Sequence, residues 1–370
     1  MFHLDDLMKI AVTGTRGIPN IQGGIETLCE ELYPHLASKG LDIYVMRRSS
    51  YDKSHVNKWR GVNIIDISAP KRKSLEALIH TFKSVWRAYR IHADIIHIHA
   101  IGPALAVPFA KLLGLKVVFT HHGADYERDK WGLFAKSILQ LGERLGTKYS
   151  DEVIAISKGI QCHLTNKYGR KDCHLIKNGA PKPVFTDNPE YFSELGIEKG
   201  KYFMAMCRLV PEKKIEHLIE AFSKLQQEGK TNGIKLVVAG AADFEDDYSR
   251  LLYKKANECG AILTGFVKGG KLQSLLSGAR CFVIPSSHEG LSIALLEAMA
   301  YKLPIIASDI PANLEVSLAS TSYYPFGNIS ILAEKLYQNI QDDYHHVDYD
   351  LSCYDWKTIS DQVYEIYMHI

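Results

Sequence analysis

Short apolar runs separated by amphipathic stretches of helical length recur along the chain from residue 9 onward. A run of β-branched residues too short for a helix reads as a buried strand, and strand–helix–strand succession requires parallel crossovers. This rhythm predicts a doubly wound α/β sheet. In the first half the predicted strands are Lys9–Thr13, Ile43–Met46, Val62–Ile67, Asp94–His99, Lys116–Thr120 and Val153–Ile156. Between them, residues 26–38, 74–90, 103–113 and 132–148 carry apolar side chains three and four apart and are predicted helices. Gly40, Gly114 and Gly146 stand where helix C-termini are expected.

The rhythm breaks at Asn178–Pro189, where three prolines and several turn residues mark a domain boundary. It then restarts with strands at Phe203–Cys207, Lys235–Ala239, Ile262–Thr264, Cys281–Ile284 and Pro304–Ala307. Helices are predicted at residues 216–227, 246–259, 271–277 and 292–300. A chain of 370 residues accommodates two such domains, about 1–180 and 181–354. Two successive domains imply a cleft, with ligands beyond the strand C-terminal ends.

Bulk properties exclude several classes. A formal net charge of +2 gives no basis for nucleic-acid binding. Seven cysteines without a C-x-x-C pair are expected to be thiols in a reducing compartment, with Cys207 and Cys281 buried in apolar runs. Met1–Leu7 is too short and acidic for a signal peptide, and no apolar run reaches the ~18–20 residues of a membrane span. The expected location is cytoplasmic.

The most informative segment is His288–Met299, H-E-G-L-S-I-A-L-L-E-A-M. Gly290, Leu291 and Ser292 precede a run of helix formers, so backbone N–H groups at the positive end of the helix dipole are available for a phosphate. Glu297 is a carboxylate inside an apolar run, where burial is costly unless it is paired. Glu289, the helix start and Glu297 suit a phosphorylated, polyhydroxylated ligand. They equally suit a dipole-favoured Glu and a second Glu at the helix edge. After the first strand, Thr13–Thr27 holds four glycines, Gly14, Gly17, Gly23 and Gly24, in a loop that matches neither G-x-G-x-x-G nor a P-loop. Such a loop lets backbone approach an anion closely. Arg208 and Lys213 follow the first strand of the second half, where they would clamp a diphosphate; away from a strand end they would read as a solvated basic loop. Of the histidines, His122 is placed to reach a substrate, whereas His97 and His121 read as structural. Asp348-Tyr-Asp350 matches Asp-x-Asp by chance in a polar tail, and no metal site is expected.

With E-x7-E at Glu289 and Glu297, R-L-V-P-E-K at Arg208–Lys213 and the glycine-rich first loop, the chain resembles family 4 retaining glycosyltransferases of the GT-B fold. The resemblance spans nearly the whole chain. The phrase T-R-G-I-P…G-G-I-E is similar to a subgroup containing rhamnosyl- and other sugar transferases of bacterial surface polysaccharides. It implies two Rossmann-like domains facing across a cleft, and a helix from Asp355 to residue 370 crossing back onto an N-terminal acceptor domain. It further implies that Arg208 and Lys213 hold the donor diphosphate, that Glu289 contacts the transferred sugar, and that Gly290, Leu291 and Ser292 lie near the phosphates. Glu297 would take the ribose hydroxyls, His122 would lie beside the reacting carbon, and Gly23 and Gly24 would bring the first loop to the donor. Lys214 and His121 depart from the family pattern. No cofactor is implied beyond a nucleotide-sugar donor, a UDP-sugar being favoured, and the acceptor is an oligosaccharide or a lipid-linked glycan. Transfer would be metal-independent, by a front-face mechanism.

Residues 71–90 add a basic run, Lys71-Arg72-Lys73, and a helix with Leu75, Leu78, Ile79, Phe82, Val85, Trp86 and Tyr89 against Lys83, Arg87 and Arg90. The pattern fits peripheral docking on an anionic membrane, and equally a core helix packed on the sheet. A sugar-nucleotide epimerase or a catalytically silent binding protein of the same fold remain alternatives to a transferase.

Overall fold

The computed structural model describes residues 7–51, 56–70, 75–128, 131–243 and 245–370. It divides into two units, Met1–Gly179 with Cys353–Ile370, and Ala180–Ser352.

In the first unit β1 (Lys9–Thr13) leads through α1 (Gly24–Ala37) to β2 (Asp42–Arg48), β3 (Lys58–Trp59) and β4 (Val62–Ile67). Then come α2 (Leu75–Arg90), β5 (Ile95–His99), α3 (Val107–Leu112), β6 (Lys116–His121), α4 (Leu133–Tyr149), β7 (Glu152–Ala155), α5 (Lys158–Tyr168) and β8 (His174–Leu175). The sheet order is β3-β4-β2-β1-β5-β6-β7-β8, parallel except for β3 against β4. The chain winds outward from β1 and then resumes on its other side at β5, so the switch point lies between these two strands. Every residue of β5 is buried, the expected state of a central parallel strand covered on both faces.

The second unit contains α6 (Pro189–Leu195), β9 (Tyr202–Met206), α7 (Ile215–Gln227), β10 (Lys235–Ala239), α8 (Asp247–Cys259), β11 (Ile262–Gly265) and α9 (Gly270–Gly278). It continues with β12 (Cys281–Ile284), α10 (Ile293–Ala300), β13 (Ile305–Ser308), α11 (Pro311–Leu314), β14 (Tyr323–Tyr324) and α12 (Ile329–Gln341). Its sheet is ordered β11-β10-β9-β12-β13-β14, with the switch point between β9 and β12. Phe203, Phe222, Leu236 and Leu336 are central to its buried core. The last helix, α13 (Trp356–His369), belongs to the first unit, where Tyr367 is buried against His97 and Lys39, in the turn after α1, pairs with Asp361.

Several expectations are corrected. Gly146 does not end a helix but lies inside α4, where a Cβ would come within 2.8 Å of the Ala104 Cβ and 2.9 Å of the Phe119 ring. The glycine is there for helix–sheet approach, not for a turn. The helix expected at residues 103–113 is a 3-10 turn, Pro103–Ala106, followed by α3, with Pro108 in the first turn of the latter. Among the described residues the cysteines form no disulfide; Cys281 is buried in β12, whereas Cys207 lies just past β9 and is half-buried.

α2 buries only part of its apolar stripe. Glu76, His80, Thr81, Ser84, Val85 and Ala88 are buried, while Phe82, Trp86 and Tyr89 are 38%, 48% and 42% exposed. Lys83, Arg87 and Arg90 are exposed beside them. The basic run Lys71–Lys73 lies outside the described residues. Among the described residues, no helix is long and apolar enough to cross a membrane.

Candidate functional site

In the second unit the loops after β9 and β12, which flank the switch point, are tied together. The Ser287 N–H donates to the Glu212 carbonyl at 2.9 Å, which sets the β12 loop against the 3-10 turn Pro211–Lys213. Lys213 Nζ then meets Glu289 Oε1 at 2.6 Å, and the Ser286 hydroxyl donates to the same oxygen at 2.7 Å. The two side chains are 19% and 9% exposed, so the ion pair is shielded but reachable. Ser286 is fixed in turn through its carbonyl, which accepts from the Ser308 hydroxyl at 2.6 Å. Arg208 Nη1 contacts Asp243 Oδ2, beyond β10, at 3.1 Å. Arg208, Lys213 and Glu289 all fall within electrostatic reach of the Cys207 thiol, which burial pushes up to about 12. The predicted residues Arg208, Lys213 and Glu289 are thus brought to one locality at strand C-terminal ends.

Ser292 caps α10, its hydroxyl accepting from the Leu295 N–H at 3.4 Å, and Leu291 is buried just before it. The cap satisfies one early N–H group; helix geometry leaves others of the first turn facing outward. Gly290 is half-buried beside Glu289. Glu297 is half-buried rather than buried, so the expectation of a costly buried acid is corrected: the side chain leaves α10 at the edge of its apolar face. Asp348 pairs with Lys302 at 2.6 Å and Asp350 accepts from the Ser352 N–H at 2.9 Å. Among the described residues no group of His, Cys, Asp and Glu is arranged to hold a metal ion.

In the first unit the glycine-rich loop is packed from within. Gly14, at φ +91°, passes so close to His99 that a Cβ would fall 2.0 Å from its carbonyl oxygen. A Cβ at Gly23 would meet the Glu26 carboxylate, whereas Gly24 faces open space. Glu26 is buried and accepts from the Arg16 N–H at 2.9 Å and the Thr15 hydroxyl at 3.2 Å. A Cβ at Gly17 would likewise fall 2.3 Å from Arg47 Cγ, so three of the four glycines serve the packing of the loop against its own unit.

His122, just past β6, has its Nε2 2.9 Å from His99 Nδ1. His99 Nε2 is 2.6 Å from the Tyr33 hydroxyl, and the His97 and His99 rings stack at 4.3 Å. His97 is bonded at both ring nitrogens, to Tyr367 at 2.6 Å and Thr120 at 2.6 Å. Burial holds His97 down at about 3, and burial followed by the adjacent His121 lowers His122. The chain of rings is neutral at physiological pH, so His122 offers a hydrogen bond rather than a positive charge.

His121 turns to the opposite side of the sheet. The Gly123 N–H donates to its Nδ1 at 3.1 Å, so Nε2 carries the proton and donates to Glu143 Oε1 at 2.9 Å. Glu143 is fully buried in α4 and also accepts from the Tyr168 hydroxyl at 2.6 Å and Lys167 Nζ at 2.9 Å. Burial would raise its carboxyl; the bonds from His121, Tyr168 and Lys167 outweigh this and hold it well below the usual carboxylate range. Sequence reasoning missed this hub. Its only signal was a Glu on the helix face that also carries Gly142 and Gly146.

Two parallel-sheet units of this topology, with a polar constellation at a switch point, define the GT-B architecture of glycosyltransferases. The chain belongs to the glycosyltransferase family: residues 22–181 match the Glycosyltransferase Family 4 model and residues 187–347 match Glycosyl transferases group 1. It is 25% identical over 335 residues to an uncharacterized glycosyltransferase of Methanocaldococcus jannaschii, covering 84% of this chain and 82% of that one. It is 24% identical to the alpha-monoglucosyldiacylglycerol synthase of Streptococcus pneumoniae, covering 82% of this chain and 72% of the relative. Among solved structures, Anabaena HepE in complex with UDP and glucose superimposes with a TM-score of 0.79 at 16% identity, over 99% of this chain and 100% of that one.

Proposed function

We propose that the protein is a retaining, metal-independent glycosyltransferase that moves a sugar from a UDP-sugar to a lipid-linked or oligosaccharide acceptor in bacterial surface-polysaccharide synthesis. The observation that carries this reading is the meeting of Lys213 and Glu289 at 2.6 Å across the β9 and β12 loops. A cation and a carboxylate held together at strand ends fit a donor with a diphosphate on one side and sugar hydroxyls on the other. HepE, similar in fold, is described in complex with UDP-glucose, which supports UDP as the nucleotide. An O-antigen chain mannosyltransferase of Escherichia coli, 28% identical over 143 residues, supports a glycan acceptor.

In this reading Arg208 and Lys213 neutralise charge that grows on the leaving diphosphate. Glu289 accepts from hydroxyls of the transferred sugar, Glu297 from the ribose, and Gly290, Leu291 and Ser292 lie beside the phosphates. The second unit is the donor domain, and the first unit is the acceptor domain, with His122 and the Gly23–Gly24 turn serving the reacting sugar. Neutral His122 donates or accepts a hydrogen bond without competing for the diphosphate. The leaving diphosphate then takes the acceptor proton on the face it departs from. The exposed aromatic and basic residues of α2 dock the enzyme on an anionic bilayer, where lipid-linked acceptors reside.

A thermal-shift screen of nucleoside diphosphates followed by transfer from a radiolabelled UDP-sugar tests the proposal. Stabilisation by UDP and appearance of label in a glycan are expected. An epimerised sugar still attached to its nucleotide would sink the transferase reading in favour of an epimerase.

A further inference from the structure

The first unit carries a second polar cluster, at the C-terminal ends of β1 and β2 and the first turns of α2, that the donor reading does not use. Arg48 ends β2, and its N–H donates to the Arg16 carbonyl in the glycine-rich loop at 2.9 Å. The Arg48 side chain is half-buried; its Nε is shielded from solvent yet makes no hydrogen bond among the described residues. His80 of α2 is fully buried; the Arg47 backbone is a weak partner of its ring, and neither ring nitrogen makes a well-formed hydrogen bond among the described residues. Burial, and then the nearby Arg48 charge, hold His80 at about 3, so the ring is neutral. Arg16 lies over the Tyr51 ring, 5.3 Å from its centroid, and donates Nη1 to the Gln22 carbonyl at 2.9 Å.

Two carboxylates, Glu76 and Glu26, lie within electrostatic reach of Arg48. Glu76 accepts from the Ser50 hydroxyl at 2.5 Å, and Glu26 from Thr15 and Arg16. They balance the guanidinium charge without accepting from its shielded N–H. A guanidinium N–H removed from water without an acceptor is costly to fold, which is a reason to look for a ligand that supplies one. A planar fork of donors beside a second arginine and a neutral imidazole matches the several oxygens of a phosphoryl group better than a single hydroxyl. Its place beyond β1 and β2 is where parallel sheets bind ligands.

We propose that Arg48, with Arg16 and His80, binds the phosphoryl group of the acceptor. The site is separate from the donor residues Arg208, Lys213 and Glu289, and the word acceptor rests on the transferase reading above. Specificity for a phosphorylated acceptor thus lies in the first unit, in residues that have no part in holding the donor.

The test uses the full chain carrying Arg208→Ala and Lys213→Ala, which removes donor-site competition, titrated with inorganic pyrophosphate by calorimetry. Adding Arg48→Gln is expected to weaken pyrophosphate about tenfold or more, with Arg48→Lys intermediate. The unmodified chain saturated with UDP gives a second route to the same comparison. Equal affinity with and without Arg48→Gln overturns the proposal. Glucuronate is the control probe: Arg48-dependent binding of glucuronate without binding of pyrophosphate overturns the phosphoryl assignment. Arg48→Gln alone is expected to leave the UDP-induced thermal shift unchanged. If no nucleoside diphosphate stabilises the unmodified chain, the transferase reading fails while Arg48-dependent pyrophosphate binding still supports the anion site.

Discussion

Lys213 Nζ and Glu289 Oε1 stand 2.6 Å apart, one from the turn after β9 and the other from the loop after β12. Neither loop could hold its side chain alone: the Ser287 bond to the Glu212 carbonyl and the Ser286 bond to Glu289 set the geometry. The pair is largely shielded from solvent, so removing the lysine leaves Glu289 Oε1 with the Ser286 hydroxyl and no cation. Lys213→Met is expected to lower UDP affinity about tenfold or more and to cost about 1–3 kcal/mol of stability. Glu289→Ala is expected to reduce transfer kcat/KM by about a hundredfold or more with a smaller effect on UDP binding. Full transfer activity in both variants would show that the donor site lies elsewhere.

Glu143 carries a larger stability cost. It is buried, accepts from His121 of β6 and from Lys167 and Tyr168 of α5, and with the Gly123 N–H fixes which nitrogen of His121 carries the proton. Removing one partner of a buried network leaves the others unpaired, so Glu143→Leu is expected to cost about 3–5 kcal/mol. Urea denaturation measures this directly. A loss below about 1 kcal/mol would mean the network is dispensable to the fold.

Acid should weaken the protein through the histidine stack. His97 is depressed to about 3 in the folded chain, and buried His99 is lowered well below its ordinary value. A base whose folded value is depressed must stay neutral for the fold to persist. Its stability contribution is therefore whole above the unfolded value of ~6.5 and is lost as pH falls from there toward 3. Each such histidine gives a slope of about 1.4 kcal/mol per pH unit in that window. Urea midpoints measured at pH 7.5, 6 and 5 should decline steadily, and His97→Gln should flatten the decline. A flat profile in the unmodified chain would contradict the neutral stack.

The exposed aromatic stripe of α2 makes a separate claim. Trp86 and Tyr89 lie 5.6 Å apart, both outward, next to Arg87 and Arg90. Trp86→Ser with Tyr89→Ser is expected to abolish co-sedimentation with anionic phospholipid vesicles while leaving UDP binding intact. Vesicle binding equal to that of the unmodified chain would leave the stripe without a membrane role.

Much of the fold was legible because strand and helix periods are local properties. The strands β1, β5, β6, β9, β10 and β12 are apolar runs that name themselves, and their alternation with helices implies parallel pairing. Less was legible where burial pattern is weak. In α5 only Ile160 and Leu164 are buried, and β8 is two residues long, so the sequence reading passed over both.

Arg208, Lys213 and Glu289 stood out because they are charged residues in short loops after strands, and Glu297 because it is an acid within the apolar run of α10. Their partners did not. That Ser286 bonds Glu289, that Asp243 meets Arg208, and that Glu143 lies under His121 depend on strand register and helix rotation, which bring together residues far apart in the chain. The same reason governs α2. Its heptad-like apolar pattern determined that it would be amphipathic, but which face meets the sheet is decided by what the sheet offers. Here the sheet receives Glu76, His80 and Ser84, and the aromatic side chains are left outside. The sequence by itself determined the elements, their order and the residues with chemistry to offer. Only the tertiary structure decided which of them meet, because contacts between distant residues are fixed by packing and not by local periodicity.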